Sequence, residues 1–351
     1  MRLTLLIPIL LLVACNNGNA LSSRTKDTPL NQLPEVKESL DFTCAHEKIP
    51  TPSAETDILF QYARWLQKNN QLKQDRTVDI EIERLYRIAT ENHHDKANIN
   101  LQNGAIRGQF KLTGEERLRF SQRLIDAHVA TGYYMIAIYL QKGAAGLQQD
   151  EDMSLRYFRK AADEGSAQAQ AYIAEKLAPI DIAPDIARQM RLCAAEQGNG
   201  KSARILGVNL SGKGDYKAAL EAFQLGVAAG DESAASFLDN GFRGPKRDNR
   251  MYYLDQQEDL LRAERYRQIG KVLGNWSYAN PSVPEINEIV PLPPAKLPAW
   301  DGKLKWVEER QANIPPPKPS EALIEQLAKT MVLDPKTGKP LQGSPVYSKE
   351  D

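Results

Sequence analysis

Arg191–Gly207 reads RLCAAEQGNGKSARILG, and two incompatible structures can be read from it. Gly198, Gly200 and Ala203 fit the Gly-x-Gly-x-x-Gly/Ala pattern of a dinucleotide-binding turn. Gly200-Lys201-Ser202, following Ala195, is one glycine short of a phosphate-binding P-loop. Both need a strand before the glycines and a helix after them, so that backbone N–H groups converge on phosphate. Here Asp185–Glu196 reads as a helix. Two sister stretches, FRKAADEGSAQAQAYIA from Phe158 and FQLGVAAGDESAASFLD from Phe223, carry acidic residues where phosphate would sit. A second near-match, Gly207 through Gly212-Lys213, ends in Gly214 instead of Ser or Thr. The stretch is therefore read as a turn in a repeat, with no nucleotide.

Superimposing Gly165, Gly198 and Gly230 aligns small residues on either side of each glycine, at spacings of 33 and 32 residues, a helical-repeat period. Weaker copies lie upstream. YRIATENHHDKANINL puts His93 at the glycine position, and LIDAHVATGYYMIAIYL puts His128 there, with spacings of 35 and 37. Each unit reads as two helices. Leu155/Phe158/Ala162, Ala203/Leu206/Leu210 and Ala219/Phe223/Val227 recur at helical spacing. Asp150 or Asp152 and Asp215 suit helix starts, Pro184 suits a first helical turn, and the three glycines suit left-handed helix ends. A further pair is expected around Ser233–Asn240 and Asn249–Leu273. One such pair leaves an apolar face open, and stacking covers it.

The KAAxxG helix end, Lys160-Ala161-Ala162-Asp163-Glu164-Gly165, and the small-residue helix after it resemble the Sel-like repeat, a relative of the tetratricopeptide repeat. The resemblance covers roughly residues 55–275 and implies an all-α solenoid of helix-turn-helix units. It is strongest in the three central units.

The chain's 351 residues hold 45 basic and 45 acidic side chains, so no global charge draws it to nucleic acid. Leu3–Ala14 is an apolar run after Arg2, shorter than the roughly 20 residues that span a bilayer and suited to a signal peptide. Leu12-Val13-Ala14-Cys15 resembles a bacterial lipobox, which implies lipidation of Cys15 and loss of residues 1–14. The same resemblance, with Asn16 and not Asp after the cysteine, implies anchoring at the outer membrane, facing the periplasm. Residues 15–40 are polar and read as a tether, with a reach of about 25–30 Å. The compartment permits a disulfide between Cys44 and Cys193, but their separation in sequence leaves the pairing open.

The repeat region is assigned to 41–275 and a cap to 276–351. Thirteen of the chain's 21 prolines lie after residue 280, so helical repeats cannot continue there. Ile286, Ile289, Val290, Leu292, Leu297, Trp300 and Trp306 alternate with those prolines. This predicts a largely irregular cap packed on the last helices of the solenoid. One short amphipathic helix is expected after Ser320, with Leu323, Leu327 and Met331 on one face, Ile324 and Ala328 beside it, and a turn at Asp334–Gly338. The tail resembles a C-terminal domain of unknown function that follows Sel-like repeats in bacterial lipoproteins. The carrying residues are Ile289–Ala295, Trp300-Asp301-Gly302, Leu333-Asp334-Pro335 and Thr337-Gly338, together with the early Asp41–Glu47, DFTCAHE. Such proteins are similar to immunity lipoproteins that protect against type VI secretion effectors, lipases included.

No catalytic, cofactor or metal set is assigned. Cys44-x-His46-Glu47 offers too few ligands for a metal and reads as an entry segment packed on the first repeat. His93-His94 sit at a helix–turn boundary, where positive charge suits the helix dipole and a capping role is expected. Trp276, Trp300 and Trp306 are the candidate partner-binding residues, with cap core as the alternative role. The expectation is a lipid-anchored, non-enzymatic protein-binding repeat protein. The resemblance implies an immunity protein against a secreted effector, a phospholipase being one candidate. The alternative is a scaffold or regulator of envelope complexes.

Overall fold

The computed structural model describes residues 41–178 and 183–347, so the signal segment, Cys15 and the tether lie outside it. The described chain is all-α apart from one isolated bridge between Leu333 and Pro340. Helix α1 (Ala54–Asn70) precedes five hairpins. These are α2 (Arg76–Glu91) with α3 (Asp95–Ile106), α4 (Gly114–Asp126) with α5 (Thr131–Lys142), and α6 (Glu151–Asp163) with α7 (Ala167–Leu177). Then come α8 (Pro184–Glu196) with α9 (Gly200–Gly212), and α10 (Tyr216–Ala228) with α11 (Glu232–Phe242). Helix α12 (Leu260–Asn275) follows. It starts later than the sequence suggests, because Gly244, Pro245 and a left-handed Asp255 hold the preceding loop out of helix.

The five hairpin turns are one device. His93, His128, Gly165, Gly198 and Gly230 all have positive φ, from 56° to 108°. In each turn this residue's N–H and the next one return to carbonyls of the finished helix: Gly165 to Ala162 and Ser166 to Ala161, His93 to Thr90 and His94 to Ala89. The following helix is then capped. The side chains of His94, Ser166, Asn199 and Asp231 accept from the N–H three residues on. The stretch that resembled a nucleotide site thus runs helix, turn, helix; Asn199 fills the helix start and Lys201 pairs with Glu175 at 2.6 Å.

Helix α5 has Ala130 at its cap position and no side-chain cap of its own. The entry segment supplies one. Glu47 accepts from the Thr131 N–H at 2.5 Å and from its hydroxyl at 3.0 Å, placing an anion at a helix N-terminus. This segment does not pack on the first repeat, as the sequence suggested, but across the middle ones. Arg159 donates to the Asp41 carbonyl and Gln170 to that of Ala45, and the Glu47 N–H donates to Gln197. Phe42 packs against the core cluster that contains Phe158, Ile173 and Met190. Cys44 and Cys193 are disulfide-bonded, closing a loop across 149 residues. Gly165 makes the crossing possible. A Cβ there would lie 2.6 Å from the Glu47 nitrogen, quite apart from the φ of 108°.

Two buried ion-pair clusters tie α2 to α4. Glu91, 1% exposed, accepts from Arg119 at 2.7 Å and from Arg123 at 2.8 Å. Arg87, equally buried, donates to Glu83, Glu116 and the Lys111 carbonyl. Paired this fully, buried charges persist; stripped of a partner, either would be strongly destabilising.

The tail first does what the sequence predicts. Val283, Ile286, Val290 and Leu304 join the core of α10–α12, and Arg262 donates to the carbonyls of Pro291 and Ala295. It then continues to the other end of the array. Ile324, Leu327, Ala328 and Leu333 enter the core built from Leu59, Phe60, Ile82, Leu85 and Ile88. Arg84 donates to the Pro335 carbonyl at 2.6 Å and to Glu321 at 2.7 Å, and Asn92 donates to the Leu327 carbonyl. A Cβ on Gly338 would lie 2.7 Å from that of Arg87, so this part of the tail also lies flush on α2. The tail holds the expected helix, α15 (Glu321–Thr330), capped by Ser320. Two shorter ones precede it: α13 (Ile286–Ile289) and α14 (Lys305–Ala312).

His94 does cap, but at the start of α3, where a positive charge would be unfavourable. Its Nδ1 accepts from the Ala97 N–H, so the ring proton sits on Nε2 and faces Asp57 at 3.3 Å. Burial lowers its pKa, outweighing the opposing pull of Asp57. With a folded pKa below the ordinary value of about 6.5, the unfolded chain takes up the proton first. The stabilisation is complete above that pH and is lost as pH falls below it. The difference in unfolding free energy between wild type and His94→Ser, which keeps a non-titrating cap, should shrink as pH falls from neutral to about 5. A difference independent of pH in denaturant titrations would refute the assignment. Separately, Cys44→Ser should lower stability by about 2–4 kcal/mol. Unfolding with and without reductant checks this: reductant should destabilise the wild type and leave the variant unchanged.

Candidate functional site

Where the tail returns to the first helices it roofs a cleft of about 940 Å³. One wall is the end of α1, the α1–α2 turn and the end of α3. The other is Ala279-Asn280 after α12, with α14 and the residues that follow it. The walls are tied together at the rim. The Trp65 indole N–H donates to the Asn313 carbonyl, the Asn69 and Asn313 side-chain amides bond each other at 2.8 and 3.1 Å, and Arg310 donates to the Lys68 carbonyl. Gln71 donates to the Tyr278 carbonyl at the α12 end. Without the tail this would be an open helix face.

The floor is a chain of amides. Asn70 and Gln109 each donate to one oxygen of the buried Asp79, at 2.9 and 2.8 Å. Gln67 donates to Gln109 and accepts from the Tyr86 hydroxyl, which Asn100 also contacts. Burial pushes the Tyr86 pKa up to about 12, so the phenol stays a neutral donor. One oxygen of Asp79, Oδ1, is thus engaged in the floor.

Above it stand Arg64, Lys68, Arg76, Arg107 and Arg310, against Asp79 and Glu309 as the lining carboxylates. Among the described residues none of the five cations is within salt-bridge distance of an acid. Burial above all, then Arg64 and Arg310, lower the pKa of Lys68, with Glu309 opposing them.

Of the predicted partner-binding residues, Trp306 lines this cleft. Trp276 sits behind it, edge-on to Trp306 with ring centres 5.7 Å apart. Trp300 is elsewhere. It packs on the terminal core, donates to the Lys303 carbonyl and lies under the Arg265 guanidinium. The tryptophans thus divide between cleft and cap core. Trp65 and the five cations were not singled out from sequence. Positions 64, 68, 76, 107 and 310 form no motif, and only Arg64 and Lys68, one helical turn apart, hinted at a shared face.

A second grouping has a different character. Ligand atoms of Cys44, His46 and Cys193 lie within 4.8 Å of one another, and His46 Nε2 is 3.2 Å from Glu196. With both sulfurs in the disulfide there is no thiolate to bind a metal, and Glu47 is turned away to cap α5.

The fold is an all-α array of helix-turn-helix units, closed by a C-terminal segment that touches both of its ends. Residues 234–341 match the family described as Domain of unknown function (DUF6396), which spans α11, α12 and almost all of the tail. Among solved structures the chain is similar to Pseudomonas aeruginosa PA5086, with 26% identity over 72% of this chain and 95% of that one, and a TM-score of 0.53. It shares its fold with two P. aeruginosa immunity proteins, each 24% identical. Pa5087 matches over 72% of this chain and 95% of its own, with a TM-score of 0.54. PA5088 matches over 72% and 94%, with the same TM-score. No curated protein matches the chain.

The tail's grip on α2 is open to direct test. Ile324→Ala and Leu327→Ala should each cost about 2–5 kcal/mol of the docking they support. In hydrogen exchange, the double variant should lose protection in α15 and at the cleft wall while α12 keeps its own. Unchanged α15 protection would show that the apolar contacts do not hold the tail.

Proposed function

We propose that this chain is a lipid-anchored periplasmic protein that binds and neutralises a type VI secretion effector, a phospholipase being the first class to test. It acts as a binding partner and not as an enzyme. The observation that carries this reading is the tail-roofed cleft, a concave surface whose five cations form no salt bridge among the described residues. Arginine and tryptophan together at such a surface are the residue types that dominate protein–protein affinity. The fold shared with two immunity proteins and the resemblance of the tail to immunity lipoproteins support it further.

Anchoring through Cys15, at the outer membrane, would raise the local concentration of the inhibitor where an incoming effector enters the periplasm. The polar tether would carry the folded body clear of the lipid surface.

The test uses the soluble form beginning near residue 21 as bait on envelope extract, followed by an activity assay on what binds. The expected result is one dominant effector, a lipase, silenced at a one-to-one ratio. A bound lipase that stays fully active, or several non-toxic envelope proteins, would overturn the immunity reading in favour of a scaffold.

A further inference from the structure

We propose that the cleft between α1–α3 and the returning tail receives an acidic, extended segment of the partner protein; this rests on the partner-binding reading above. The argument begins with a contrast among neighbours. The chain is neutral overall, and basic residues on adjacent helices find acids readily. Arg84 pairs with Glu81 and Glu321, Arg87 with Glu83 and Glu116, and Arg119 and Arg123 with Glu91. The cleft's cations do not. Arg64 donates to an amide, Gln67, and Arg310 to a backbone carbonyl. Of the two lining acids, Asp79 accepts from Asn70 and Gln109, and Glu309 acts on Lys68 from beyond salt-bridge distance.

Gathering five like charges against two carboxylates, neither within salt-bridge distance, costs stability, and an occupant bearing carboxylates would reduce that cost. Arginine forks bind carboxylates with two parallel N–H donors, which selects acidic side chains over neutral ones. The volume, about 940 Å³, is large for a single ion and suits a run of several side chains. The surroundings fit a peptide. Gln71, Gln74, Asn103 and Asn280 line the walls with groups that both donate and accept. Ile314, 79% exposed, and Trp306 offer apolar contact beside the charges. An acidic segment with interspersed apolar residues matches all three features. Charge attraction would also speed the encounter and make it sensitive to salt.

The probe is a short fluorescein-labelled peptide of Glu, Ser and Leu, compared by anisotropy with its Gln-for-Glu counterpart and with oligothymidylate. The acidic peptide should bind and weaken with added salt, and the Gln peptide should bind at least tenfold more weakly. Arg107→Ala and Arg310→Ala should each reduce acidic-peptide binding about tenfold, whereas Arg247→Ala, an exposed cation elsewhere, should not. Equal binding of the two peptides, indifference to Arg107 and Arg310, or tighter binding of oligothymidylate would overturn the proposal.

The same variants separate this inference from the functional reading. If the wild type silences an effector and both cleft variants silence it equally well, the cleft is not the docking site although the immunity role stands. If the acidic peptide binds as expected but no effector is silenced, the cleft chemistry stands and the immunity role falls.

Discussion

A residue in the left-handed region, placed at the end of the first helix of each pair, is the constraint from which the array is built. It lets two consecutive N–H groups bond back to the finished helix while the chain reverses. The next residue is then free to cap the second helix. Glycine takes this conformation at little cost, and histidine is among the side chains that tolerate it. Hence His93 and His128 make the same turn as Gly165, Gly198 and Gly230. The difference appears only where another segment must pass close by. Nothing with a side chain could replace Gly165, because the backbone of His46 and Glu47 lies on it.

Stacked helix pairs have an unavoidable weakness at their ends, where an apolar face meets water. Here one segment deals with both. Residues 281–304 cover α10–α12, and residues 321–333 cover α1 and α2. Between these patches comes α14, and after it Pro315, Pro316, Pro317 and Pro319 keep residues 313–320 out of helix. The entry segment works differently. It stitches the middle of the array from outside, by a disulfide, by backbone hydrogen bonds and by lending Glu47 to a helix with no cap of its own.

Bridging the two ends has a consequence for chemistry. It brings α14 opposite α1 and α3, so that cations from opposite walls face one space. Elsewhere in this protein buried or half-buried cations are met by acids, as Arg87, Arg119 and Arg123 show. In the cleft five cations face two carboxylates without a salt bridge among the described residues, and one of those acids, Asp79, is engaged in an amide network.

Period and capping were legible in the sequence because they are local. The spacing of Gly165, Gly198 and Gly230, the caps at Asp150, Asp215 and Ser320, and the apolar stripe of α15 depend on residues a few positions apart, so helix, turn and repeat could all be read. Which distant surfaces meet depends on how many units accumulate twist before the chain returns, and no local pattern encodes that. The pairing of Cys44 with Cys193, the loan of Glu47 to Thr131, the return of the tail to α2 and the meeting of Arg64, Arg107 and Arg310 were therefore decided by the tertiary structure. Each joins residues at least 40 positions apart through surfaces that come together only after the repeats have stacked.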